Sequence, residues 1–139
     1  MNELRIPKDL ADEMIEHCLT GRPNEACGIL ATDGDEVVKV FRMTNAEASP
    51  LRYRFTDKEY IAAERKIDEE GWTFTAAFHS HTRTEAYPSP TDVARALGDL
   101  VYVIVSLAEE PPVVRAFQIK KENWSDPEGE VRELPVVVT

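Results

Sequence analysis

The 139-residue chain has little of what marks a specialised protein. Its two cysteines, Cys18 and Cys27, cannot make the disulfide framework of a small secreted module, so a reducing, cytoplasmic setting is expected. Basic charge is also in short supply: 16 Lys and Arg stand against 26 Asp and Glu, for a net charge of −10. Nucleic acid and anionic membrane surfaces both need a basic face, so neither is expected as a partner. No stretch approaches the ~20 apolar residues of a membrane span. Met1-Asn2-Glu3-Leu4-Arg5 lacks the apolar core of a signal peptide, so export is not expected. There are no internal repeats and no low-complexity segments. A hydrophobic content of 42% and a charged content of 30% fit one soluble globular domain over residues 1–139.

Histidine is scarce too, with three in the chain, yet two of them sit in Phe78-His79-Ser80-His81. In an extended segment alternate side chains share a face, roughly 6.5–7 Å apart. His79 and His81 can therefore offer two imidazoles to one ion while Ser80 points away. Ser89-Pro90-Thr91-Asp92 reads as a helix start, with Ser89 at the N-cap and Pro90 at the first helical position. The loop from Thr82 to Pro88 is long enough to fold that helix start back over the strand end, which would make Asp92 a third ligand. Two neutral imidazoles and a carboxylate suit Zn2+, and three protein ligands leave a fourth position for water, the mark of a catalytic site. Alone, Ser-x-x-Asp is also an ordinary capping box, and His-x-His an ordinary strand pattern. Their joint occurrence on a strand end, a loop and a helix start singles the stretch out.

His-Ser-His, seven residues, Ser, two residues, Asp resembles the signature of the JAMM (MPN-plus) metalloproteases. That family adds an upstream glutamate, matched here by Glu25 in Asn24-Glu25-Ala26-Cys27-Gly28. The resemblance implies zinc ligation by His79, His81 and Asp92, with Glu25 as general base and Ser89 as oxyanion stabiliser. It also implies a single-domain, cytidine-deaminase-like α/β fold, a mixed and largely antiparallel sheet flanked by helices. Thr84-Glu85-Ala86-Tyr87-Pro88-Ser89 and Met43-Thr44-Asn45-Ala46-Glu47 look most like bacterial stand-alone members of the family. Those release cysteine from the C-terminal Gly-Gly tail of a small ubiquitin-like sulfur-carrier protein, in cysteine biosynthesis. The alternatives are an isopeptidase that removes ubiquitin-like modifiers, a zinc hydrolase of small amides, and a non-enzymatic MPN scaffold.

The remaining pattern gives an element order of α-β-β-β-α-β-α-β-β-β. A helix is predicted over 8–20, with Leu10, Ala11, Met14, Ile15, Cys18 and Leu19 on its apolar face. His17 lies on that helix as a surface or packing residue. Strands are predicted over 26–32 and 36–43 around the Asp33-Gly34-Asp35 turn, and a short one over 53–55. A capping box at Thr56 opens a helix to Glu70, ended by Gly71. Strands follow over 73–80, 100–107, 113–120 and 130–137, with a short helix over 92–97. Cys18 and Cys27 are expected as small buried hydrophobes, although Cys27 shares a strand face with Glu25 and can approach the ion.

Overall fold

In the computed structural model, which describes residues 1–139, every predicted helix forms and most strands stand within a residue or two of expectation. The chain opens on β1 (Leu4–Ile6), then α1 (Lys8–Gly21), β2 (Cys27–Asp33) and β3 (Glu36–Met43). Next come α2 (Asp57–Glu70), β4 (Thr73–His81), α3 (Pro90–Arg95) and β5 (Val101–Ser106). Finally β6 (Val113–Lys120), β7 (Glu130–Leu134) and β8 (Val136–Val138) complete one sheet of order β7-β6-β5-β4-β2-β3-β1-β8. The fold is mixed α/β: β2 pairs antiparallel with β3 and β4, whereas β4 runs parallel to β5.

Four points of the predicted pattern need correction. β1 lies outside every predicted strand; it is three residues long and pairs in parallel with β3 and β8, strands far away in sequence. The predicted strand over 130–137 is two strands, because Pro135 has no N–H to continue a ladder. β7 pairs with β6 at one end of the sheet, and after that single proline β8 pairs with β1 at the other. The sheet is thus curled round α1, whose Ala11, Met14 and Cys18 share one core with Leu4, Val101 and Leu134. Residues 53–55 form no strand; Phe55 makes one isolated bridge to Asn45. The short helix begins at Pro90 rather than 92, since the Ser89 cap sets its start.

α2 covers the opposite face of the sheet, with Ala63 and Ile67 packed on Cys27, Ile29 and Met43. Thr56 caps it, accepting from the Glu59 N–H, and Gly71 ends it at φ 71°, a left-handed conformation glycine adopts at no steric cost. Gly28 is required for a different reason: a Cβ there would overlap the Phe41 carbonyl and the Phe78 ring. No helix is long and apolar enough to cross a membrane.

Candidate metal centre

β2 and β4 pair so that Cys27 stands opposite His79. Extending that register by two residues puts Glu25 opposite His81, on the same face. The crossover from β4 to the parallel β5 has to leave from the carboxyl end of β4, which is where the two histidines sit. The loop between them is pinned: Ser106 Oγ donates to Thr84 O at 2.6 Å, and the Leu107 N–H donates to His81 O at 2.9 Å. α3 then starts directly over the strand end. Its cap is reciprocal, with Asp92 N–H donating to Ser89 Oγ (3.0 Å) and Ser89 N–H to Asp92 Oδ2 (2.9 Å).

Three donor atoms converge there. His79 Nε2 lies 3.2 Å from His81 Nε2 and 3.1 Å from Asp92 Oδ2, and His81 Nε2 lies 3.0 Å from the same oxygen. Both imidazoles are buried. His81 Nδ1 lies 2.9 Å from the Glu85 carbonyl, an acceptor, so the proton of a neutral ring sits on that nitrogen. Its Nε2 lone pair then faces a carboxylate oxygen, an arrangement that asks for a cation between them. The spacing also fits a small ion. Donors bound at ~2.0–2.1 Å in a tetrahedron stand about 3.3 Å apart, close to the separations found here. The residues therefore fit a divalent metal, although the donor set alone does not name it.

Charges follow the same geometry. Burial alone would raise the Asp92 carboxyl, but the close imidazoles of His79 and His81 and the bond from the Ser89 N–H hold it well below the usual carboxylate range. For His81, burial acts downward and is outweighed by Asp92 and the Glu85 carbonyl, so the ring is pushed up. Glu25 is 4% exposed and its Oε1 has no hydrogen-bond partner. Burial, then the Asp92 charge, push its carboxyl up to about 8, against the pull of His81 and Arg95. It is not one of the converging donors. Its backbone is tied to the 44–51 loop, with Glu25 N–H donating to Ser49 O and Asn45 Nδ2 to Glu25 O.

Cys27 is fully buried in the α2-side core and contributes no donor atom to the cluster. His17 is a packing histidine: its Nε2 lies 3.0 Å and 3.2 Å from the carbonyls of Cys27 and Met43, bracing β2 and β3. Sequence reasoning missed Tyr53, whose ring stacks on His79 at 4.5 Å, and Arg95, which donates to Tyr53 O and Glu47. A cleft of ≈ 710 Å³ opens beside Asp92, with Tyr53, Phe55, Tyr60 and Tyr102 among its walls.

Comparison with known proteins agrees with this architecture. The family model for prokaryotic homologs of the JAB domain matches residues 7–120. The CysO-cysteine peptidase of Mycobacterium tuberculosis is 37% identical over 139 residues, covering 97% of this chain and 90% of that protein. A probable TtuB-protein conjugate cleaving protease of Thermus thermophilus is 33% identical over 102 residues, 73% of this chain and 68% of the relative. A desampylase of Haloferax volcanii is 30% identical over 113 residues, 76% and 81% respectively. Among solved structures, a protein of Desulfitobacterium hafniense superposes with a TM-score of 0.84 at 34% identity, covering 98% of this chain and 92% of that one. A JAB1/MPN domain protein of Archaeoglobus fulgidus gives 0.60 at 18% identity over 99% and 100%, which speaks to the fold alone. With a matching model that spans the whole stretch from α1 to β6, the chain belongs to the prokaryotic JAB family.

Proposed function

We propose that this hydrolase is a zinc peptidase that cuts the amide bond after the C-terminal glycine of a small ubiquitin-like sulfur-carrier protein and releases cysteine. The observation that carries the chemistry is the convergence of His79, His81 and Asp92 on one point, beside a buried glutamate carboxylate with an unpartnered oxygen. Similarity to a CysO-cysteine peptidase over nearly the full chain supports the choice of substrate. So does the cleft beside Asp92, whose volume lies within the ~300–1,000 Å³ of ordinary ligand pockets. Two buried, unpaired thiols suit a reducing cytoplasm.

Zinc held by His79, His81 and Asp92 would supply Lewis acidity toward water and the scissile carbonyl. Glu25 takes the proton from the attacking water and passes it to the leaving amine. Its high affinity for a proton in the metal-free protein fits a carboxylate awaiting a nearby cation, whose charge would favour the ionised form. Ser89 Oγ already accepts from the Asp92 N–H, so its own O–H remains to donate to a developing oxyanion. One such donor is typically worth ~2.7–4 kcal/mol.

The test is incubation of the zinc-loaded protein with a carrier ending Gly-Gly-Cys, followed by mass spectrometry. Loss of one cysteine residue is expected, and Glu25→Gln should hold zinc without turnover. An unchanged carrier alongside cleavage of an isopeptide-linked conjugate would replace the proposed substrate. The names of the Thermus and Haloferax relatives favour that second reading.

A further inference from the structure

The two histidines are held differently. A metal-binding imidazole is ordinarily oriented through its second nitrogen, which donates to a carbonyl or a carboxylate. His81 follows that rule, with Nδ1 at 2.9 Å from the Glu85 carbonyl. His79 does not: its Nδ1 is buried and has no hydrogen-bond partner. The Tyr53 ring lies on the His79 imidazole instead, centroids 4.5 Å apart and planes inclined by 23°.

Tyr53 is itself clamped. Its carbonyl accepts from Arg95 Nη1 at 3.0 Å, and the same guanidinium grips both oxygens of Glu47 at 2.7 and 3.2 Å. Paired donors of this kind fix a direction as well as a distance. On the other side Asn45 holds both neighbours of Tyr53, its Nδ2 donating to Arg52 O and its Oδ1 accepting from the Arg54 N–H. Arg95 stands three residues beyond Asp92 on α3, so the helix that carries the acidic ligand also pins the segment that presses on His79.

We propose that Tyr53 is a positioning residue for His79, taking the place of the missing hydrogen bond, and that Arg95, braced by Glu47, keeps the ring seated. The proposal rests on His79, His81 and Asp92 forming a metal centre. Tyr53 also forms part of the wall of the cleft beside Asp92, so whatever enters that cleft meets the ring that sets a metal ligand.

An ordinary packing role predicts something different, and Phe55 separates the two. Phe55 contacts Tyr53 and Tyr60 and packs against two core clusters, with no stacking on His79. The experiment measures zinc affinity of the full chain by competition with a chromophoric chelator, with the melting temperature of the metal-free protein alongside. Tyr53→Phe should bind zinc within about threefold of wild type. Tyr53→Leu should bind about 10–100-fold more weakly, the usual cost of losing an outer-sphere partner. Arg95→Gln, a change at an exposed site, should weaken binding in the same direction without lowering the melting temperature. Phe55→Leu should melt earlier yet bind zinc nearly as wild type does. In nitrogen-15 spectra the His79 ring signals should broaden in metal-free Tyr53→Leu while those of His81 stay sharp. Wild-type affinity in both Tyr53→Leu and Arg95→Gln overturns the proposal alone, as does affinity that falls in step with melting temperature across all four variants. A wild-type chain that binds no zinc overturns the metal centre and this proposal together.

Discussion

The Ala26 N–H donates to Ser80 Oγ at 2.9 Å, and the Ser80 N–H donates back to the Ala26 carbonyl at 3.0 Å. The residue between the two histidines is thus laced on both sides to the residue that follows Glu25. This lacing holds the candidate base in register with the candidate ligands. Ser80 is fully buried, so Ser80→Ala leaves an N–H with no partner and no water. A loss of about 1–3 kcal/mol is expected in denaturant titration of the metal-free protein. A change within experimental error would show that the bond is not what joins the two strand ends.

Glu25 gives the metal-free protein a pH signature. Its carboxyl has an ordinary value of 4.5 and is pushed up to about 8 in the fold, chiefly by burial. A group raised on folding adds stability that is complete below about pH 4.5 and lost as pH rises through about 8. Asp92 is depressed and acts in the opposite sense, losing its contribution as pH falls below its ordinary value of 3.8. In thermal melts with chelator present, Glu25→Gln should therefore decline less than wild type between pH 5 and 8.5, as about expected from that window. Parallel curves for the two proteins would contradict the burial of an unpaired carboxylate.

How far the sequence could be read depends on the range of each interaction. The convergence of His79, His81 and Asp92 was legible because strand alternation and a capping box are local rules, and both act within the fourteen positions from His79 to Asp92. α1 and α2 were legible from their apolar periodicity and, for α2, from Thr56 and Gly71 at its ends. β1 and the separation of β8 from β7 were not, because three residues carry no alternation to count and their pairing is decided by closure of the sheet round α1. Tyr53 on His79 and Arg95 on Glu47 join residues 26 and 48 positions apart, and no local pattern announces such a meeting.

Gly28 is a packing requirement rather than a turn. Any Cβ there meets the Phe41 carbonyl on β3, which cannot swing away as a flexible side chain would. Gly28→Ala should destabilise the chain by about 1–3 kcal/mol or more, read from the denaturation midpoint. An unshifted midpoint would mean that β2 and β3 can part without cost.

The two thiols should be silent in the native state. Burial pushes both Cys18 and Cys27 up to about 12, so little thiolate exists near neutrality. A chromogenic disulfide reagent at pH 8 should modify neither until denaturant is added, and then both. Fast modification of Cys27 in the folded protein would place it at an accessible edge of the metal centre.

The metal content of the purified chain, measured by elemental analysis after dialysis against trace zinc, bears most directly on the site. Wild type should carry one zinc per chain, while His81→Asn and Asp92→Asn, folded by circular dichroism, should carry almost none. Zinc retained at one per chain in both variants, or none in wild type, would contradict a centre built from His79, His81 and Asp92.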